Sequence, residues 1–133
     1  QRPKPQIDFG RILRESGASS LNDVSDGLSR EINEIALASR VTIELEKERI
    51  PLSDELCRWG QDCGKEPFHF AINGGEDYEL VGTISKKNWE YVKGIGGVTG
   101  IGHVTKAGKG QVFLKDKNSI KLLTIAGYDH FRS

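Results

Sequence analysis

Asp23-Val24-Ser25-Asp26-Gly27-Leu28, running on through Ser29-Arg30-Glu31-Ile32-Asn33-Glu34-Ile35-Ala36-Leu37-Ala38 to Val41-Thr42-Ile43-Glu44-Leu45-Glu46, is the stretch whose reading decides the fold. Leu28, Ile32, Ile35 and Ala36 recur at helical spacing, which predicts an amphipathic helix over residues 28–39. Arg30, Glu31 and Glu34 fall on its other faces, and the Arg30–Glu34 spacing suits a surface ion pair worth ~0.3 kcal/mol. Residues 41–46 alternate apolar and polar, the pattern of a half-buried strand. Ala18 to Asp23 reads as a strand running into the acidic turn. Two carboxylates three residues apart, Asp23 and Asp26, therefore stand where a chain enters a helix. Backbone N–H groups are free there and the helix dipole is positive. Such an entry can host a bound phosphate, with the carboxylates holding an accompanying magnesium ion. Ser, Asp and Gly are also the commonest helix-capping residues, and the six residues alone leave both readings open.

Upstream, Pro3 and Pro5 predict an extended lead-in over residues 1–7 of the kind that joins domains, with one domain over residues 8–133. Asp8 suits a helix N-cap, Phe9, Ile12 and Leu13 supply a stripe, and Gly17 a stop. Downstream, Pro51 and Ser53 open a short helix with Leu56 and Trp59 facing inward and Gly60 ending it. Residues 68–72 resume strand character, Gly74-Gly75-Glu76-Asp77 forms a second acid-rich turn, and residues 78–84 form another strand. Ser85 caps a helix carrying Trp89 and Val92, which Gly94 stops. Residues 98–105, 111–115 and 120–123 read as closing strands. This mixture predicts an α+β domain, a mixed sheet with helices packed on one side.

The composition narrows the function classes. The 133 residues suit a single domain with a real core. Nineteen basic residues balance nineteen acidic ones, so no basic surplus points to nucleic acid or an anionic membrane as partner. No apolar run approaches the roughly 20 residues of a membrane helix. Cys57 and Cys63 match no zinc or redox spacing and read as free thiols. The absence of methionine and the opening Gln1 predict a piece of a longer polypeptide.

Paired glycines in the second acidic turn permit positive φ and close approach of a ligand, although a hairpin needs the same freedom. A hairpin does not explain the two carboxylates that follow. Two acid-rich turns, each at a strand end, are expected on one edge of a sheet. The glycine-rich run from Gly94 to Gly102 follows a helix and leads into strands, so it is no dinucleotide loop. No nucleophile–base–orienter set is evident among the histidines, cysteines and serines. Acid-rich turns without a nucleophile suit metal-assisted phosphate chemistry, in which positioning and charge neutralisation dominate.

At this point a resemblance enters. Asp23-Val24-Ser25-Asp26-Gly27-Leu28, Gly74-Gly75-Glu76-Asp77-Tyr78-Glu79-Leu80 and Gly127-Tyr128-Asp129-His130-Phe131 resemble, in order, successive motif blocks of the thiamine-monophosphate kinase family. The match is to the C-terminal half, within the aminoimidazole ribonucleotide synthetase-related superfamily, and it covers essentially the whole chain. The first block is shared with aminoimidazole ribonucleotide and selenophosphate synthetases; the second is more particular to the kinase. The resemblance implies magnesium ligands at Asp23 and Asp26, an ATP contact at Ser25, and thiamine phosphate contacts at Glu76 and Tyr128. It implies transfer of the ATP γ-phosphoryl group to thiamine phosphate, giving thiamine diphosphate, by a cytoplasmic enzyme that is a homodimer at full length. The isolated piece is expected to be inactive, since the family's N-terminal half carries further magnesium-binding aspartates. Asn22 and Gly82 depart from the family pattern and bear on local packing. Two other readings stay open: a related ATP-dependent synthetase domain, and a non-catalytic ligand-binding module of the same fold.

Overall fold

The helix that the apolar spacing foretells is present with the expected bounds. Helix α1 spans Leu28–Ser39, and its Leu28, Ile32, Ile35 and Ala36 are all buried. Each large aliphatic side chain so buried contributes about 1.5–3 kcal/mol. A computed structural model describes residues 18–24, 27–64, 66, 68, 71–75, 78, 80–94, 97–125 and 127–128. The predicted lead-in at 1–7 and the helix after Asp8 lie outside the described residues.

What α1 buries its stripe against is a five-stranded mixed sheet. Its strands are β2 (Val41–Glu46), β4 (Gly102–Ala107), β5 (Gln111–Asp116), β6 (Ser119–Thr124) and β7 (Gly127–Tyr128), in the order β4-β2-β5-β6-β7. Alternation places Ile43 and Leu45 of β2, Val112 and Leu114 of β5 and Leu123 of β6 in one core with the α1 stripe. β2 and β5 run parallel; the other pairs are antiparallel. A separate antiparallel ribbon joins β1 (Ala18–Asp23) to β3 (Leu80–Ile84), and α1 contacts both the ribbon and the sheet. The domain is α+β with a mixed sheet, as expected.

Four expectations are corrected. The second helix, α2, covers Asp54–Cys63 and runs through Gly60, which is buried within it; the stop is Gly64, whose φ of 69° allows the left-handed turn that ends a helix. Ser53 caps α2 as expected, its Oγ accepting from the Leu56 N–H at 3.1 Å, but Trp59 is 38% exposed rather than inward. Nor do the described residues of 68–72, namely Phe68, Ala71 and Ile72, lie in a strand. Ala71–Gly75 is a single π-helical turn, and Phe68, Ala71 and Ile72 are all buried. Their i, i+3, i+4 spacing is helical, and it outweighs the short Phe-His-Phe alternation. Helix α3 (Lys86–Val92) has the expected Ser85 cap, Oγ accepting from Asn88 N–H at 3.1 Å. The strand expected at 98–105 begins only at Gly102, because Gly100 lies against the Trp89 ring. No helix among the described residues is long and apolar enough to cross a membrane.

One ionic cluster ties the sheet to the segment before the π-turn. Lys47, in the 3-10 turn Lys47–Arg49, donates to Glu66 and lies 3.4 Å from Asp116. Burial by itself lowers the Lys47 pKa, but the hydrogen bond and charge of Glu66, with Asp116, more than offset it and hold the group above its ordinary 10.5. A cation with a raised folded pKa adds stability that is fully present below the unfolded value and is lost as pH rises through the folded one. The melting-temperature gap between the chain and a Lys47→Met variant should therefore stay constant from neutral pH to about pH 10 and close above it. Thermal melts across that range check this; a gap that persists at pH 12 would refute it.

Candidate active site

The ribbon register sets the end of one motif block beside the end of another that is distant in sequence. Asp23, the last residue of β1, pairs with Leu80, the first residue of β3. Across an antiparallel pair the Cα atoms are about 4.5–5.5 Å apart. The chain leaving β1 for the turn at 24–27 therefore starts beside the chain that arrives from Gly74-Gly75-Glu76-Asp77. Asn22 and Gly82, the two departures from the motif pattern, occupy neighbouring pairs of this ribbon, Asn22↔Val81 and Leu21↔Gly82.

The turn enters α1 through Gly27. Gly27 is buried, with φ 98° and ψ 148°, a conformation that a side chain opposes. Gly27 is itself the N-cap residue and offers no side chain; its carbonyl accepts the Glu31 N–H at 3.2 Å. The cap position is thus taken by backbone geometry rather than by a serine or aspartate oxygen. Val24 packs against the core and Leu28 is buried, so the turn is anchored on both sides by apolar contacts.

The start of α1 is also fastened to β6 and the residue after it, beside the strand that carries the first residues of the third block. Ser29 Oγ donates to the carbonyls of Thr124 and Ile125 at 3.2 and 3.4 Å. Asn33 Nδ2 donates to Ser29 O at 2.8 Å and to Leu123 O at 3.1 Å. Leu123 is the register partner of Tyr128 in β7. Ser29 and Asn33 were not singled out by the sequence reading. The available signal is their i, i+4 spacing beside the apolar stripe, where polar side chains need a partner once buried.

The π-turn completes the convergence, since Ala71–Gly75 contacts both α1 and β7. Gly74 within it is exposed at φ 113°, and an added Cβ there would meet nothing within 4 Å. Tyr78, half-buried just before β3, donates its hydroxyl to the Pro51 carbonyl.

Of the expected site residues, Asp23 closes β1 and Tyr128 closes β7, while Ser25, Asp26 and Glu76 lie outside the described residues. Among the described residues no group of three or more His, Cys, Asp and Glu side chains is gathered for a metal. As donors, Asp23 and Asp26 suit magnesium: both are hard oxygen ligands, three residues apart in the sequence. Cys57 and Cys63 are free, as expected, and His103 is an exposed strand residue 3.7 Å from Glu46. A cleft of about 460 Å³ lined by Leu37, Arg40, Gly108 and Lys109 lies at the far end of α1 from Gly27 and takes no part in this arrangement.

With this geometry in view, the chain can be set beside known proteins. The family model for AIR synthase related protein, C-terminal domain, matches residues 1–115. The thiamine-monophosphate kinase of Bacillus subtilis (strain 168) is 39% identical over 137 residues, taking in 99% of this chain and 41% of that protein. The solved structure of AaThiL complexed with AMPPCP and TMP is similar at TM-score 0.68 and 36% identity, covering 91% of this chain and 38% of the other. Hydrogenase maturation protein HypE is similar at TM-score 0.64 and 22% identity over 86% of this chain and 40% of the other, a likeness of fold alone. The chain spans about two-fifths of the length of the relatives it matches.

Proposed function

This chain belongs to the family of AIR synthase related protein C-terminal domains, and from that premise we propose that it is the C-terminal domain of an ATP-dependent thiamine-phosphate kinase. The observation that carries the reading is the ribbon register. The Asp23↔Leu80 pair sets the chain that enters the first acid-rich block beside the chain that leaves the second, and this supports the reading of those blocks, with the Gly127-Tyr128 block, as kinase-like motifs. The likeness to the Bacillus subtilis kinase and to a kinase structure holding AMPPCP and TMP supports it.

In the proposed reaction an oxygen of the thiamine phosphate attacks the γ-phosphorus of ATP, and the bond from that phosphorus to the ADP oxygen breaks. Asp23 and Asp26 would hold magnesium, which when bound neutralises phosphate charge. Ser25 would contact ATP, beside the positive end of α1. Glu76 would orient the thiamine phosphate, and Tyr128 would lie against it. In such transfers positioning and electrostatics supply most of the catalysis, so no nucleophilic side chain is needed. The remainder of the longer enzyme, a cytoplasmic homodimer in this proposal, completes the site, and this chain alone does not turn over.

The test is turnover by the full-length enzyme with ATP and thiamine phosphate, read as thiamine diphosphate formed. Turnover of aminoimidazole precursors instead would replace this reading with the synthetase one; ligand binding without turnover would replace it with a binding module. Tyr128→Ala should raise KM for thiamine phosphate roughly tenfold, about 1.4 kcal/mol, while KM for ATP changes less than about twofold. Equal losses for both substrates would mean that Tyr128 supports the fold and not the acceptor.

A further inference from the structure

The segment that ends in the second acidic turn is held at both ends by one short connection. Its beginning is tied to Lys47. The Lys47 ammonium donates to Glu66, lies 3.4 Å from the Asp116 carboxylate, and sits 5.2 Å from the centroid of the Phe68 ring. Phe68 is buried in the core, and three and four residues on, Ala71 and Ile72 are buried in the π-turn. Its far end is tied to Pro51, whose carbonyl accepts the Tyr78 hydroxyl. Both anchors, Lys47 and Pro51, come from the connection that follows β2. Between them, Ile50 is buried in the same core as Phe68 and Ile72.

The connection is itself well placed to act as a rigid base. β2 and β5 are adjacent parallel strands with Glu46 opposite Lys115, so Lys47 and Asp116 leave the same end of the sheet centre. The Lys47–Asp116 pair closes that end, and the Lys47–Glu66 bond carries its rigidity to the incoming segment. A charge-assisted bond of this kind fixes geometry better than a neutral one.

We infer that residues 47–51 form a clasp, with Lys47 as a positioning residue that sets the Gly74-Gly75 turn against α1 and β7. The clasp touches no reacting atom. It acts by holding the turn from which Glu76 follows, so its functional consequence rests on the kinase reading above and falls on the acceptor rather than on ATP.

The experiment pairs a structural with a kinetic readout. In this chain, Lys47→Met should raise amide hydrogen exchange at 71–75 about tenfold or more relative to the centre of α1, and Lys47→Arg should restore most of the protection. Tyr78→Phe, which removes a single oxygen, should raise exchange in the same turn and serves if Lys47→Met does not fold. In the full-length enzyme both disruptive variants should raise KM for thiamine phosphate about fivefold to tenfold with kcat and KM for ATP within about twofold. Unchanged exchange at 71–75 in Tyr78→Phe and in any folded Lys47 variant would overturn the clasp. So would equal KM increases for both substrates, or no rescue by arginine. A full-length enzyme inactive on thiamine phosphate would sink the kinase reading alone, and the exchange result would still decide the clasp.

Discussion

Asp26→Asn should lower kcat of the proposed full-length kinase about a hundredfold or more. In the proposed role Asp26 shares magnesium with Asp23 at the entry to α1. A bound metal contributes several kcal/mol of charge stabilisation in phosphoryl transfer, and each 1.36 kcal/mol is tenfold in rate. Asparagine keeps the size and one oxygen but removes the negative charge, so the turn should still form. Gly27 makes the bend by its own φ of 98°, and Val24 and Leu28 anchor the turn through the core. The melting temperature should hence stay within about 2 °C of the parent's. Raising magnesium should recover part of the rate. A kcat within twofold of the parent at saturating magnesium would remove Asp26 from the metal site. A large fall in melting temperature would show instead that the carboxylate supports the turn.

Gly110→Ala should be strongly damaging for so small a substitution in the scaffold, at about 2–5 kcal/mol. Two independent costs meet there. Gly110 has φ 89°, where an L-residue pays about 1–2 kcal/mol. An added Cβ would also lie 2.6 Å from the Leu37 Cα and 3.1 Å from its N, both backbone atoms of α1. Overpacking of that kind costs about 1–3 kcal/mol. The connection cannot easily retreat, because the Gly108 N–H donates to the Arg40 carbonyl at 3.0 Å and holds the loop on the end of the helix. For a domain of this size the melting temperature should fall by about 10 °C. Lys109→Ala, at the exposed residue beside it, should move it by no more than a degree or two. A loss below 1 kcal/mol for Gly110→Ala would mean that loop and helix separate without cost.

Much of the local structure was legible. Helix α1 has the bounds its apolar spacing gives, β2 lies where alternation places it, and β1 covers the Ala18–Asp23 strand expected before the acidic turn. β5 and β6 match to within a residue at their ends. Ser53 and Ser85 cap helices because a hydroxyl before a helix has an obvious unpaired N–H to meet. The misses have equally definite causes. Gly60 was taken for a stop, but a glycine ends a helix by adopting positive φ, and Gly64 does so. Phe68, Ala71 and Ile72 carry a helical stripe too short to outweigh a strand-like triplet on inspection, and only the core they enter decides between them. The clasp at Lys47 joins Glu66 and Asp116 from two distant segments, so no local pattern announces it.

By itself the sequence determined most of the elements that form, and which three blocks resemble the motifs of a kinase. Burial of one face of a helix or strand depends on spacing within a few residues, so periodicity suffices for that. Only the tertiary structure decided that β2 pairs with β5 in parallel and that Asp23 meets Leu80. Only it fastens the start of α1 to β6 beside Tyr128, through Ser29 and Asn33. Strand pairing and buried hydrogen bonds join residues far apart in the chain, and their partners are selected by the packing of the whole core around α1. The acidic turn at Asp23 is written in six residues; its neighbours were chosen by the fold.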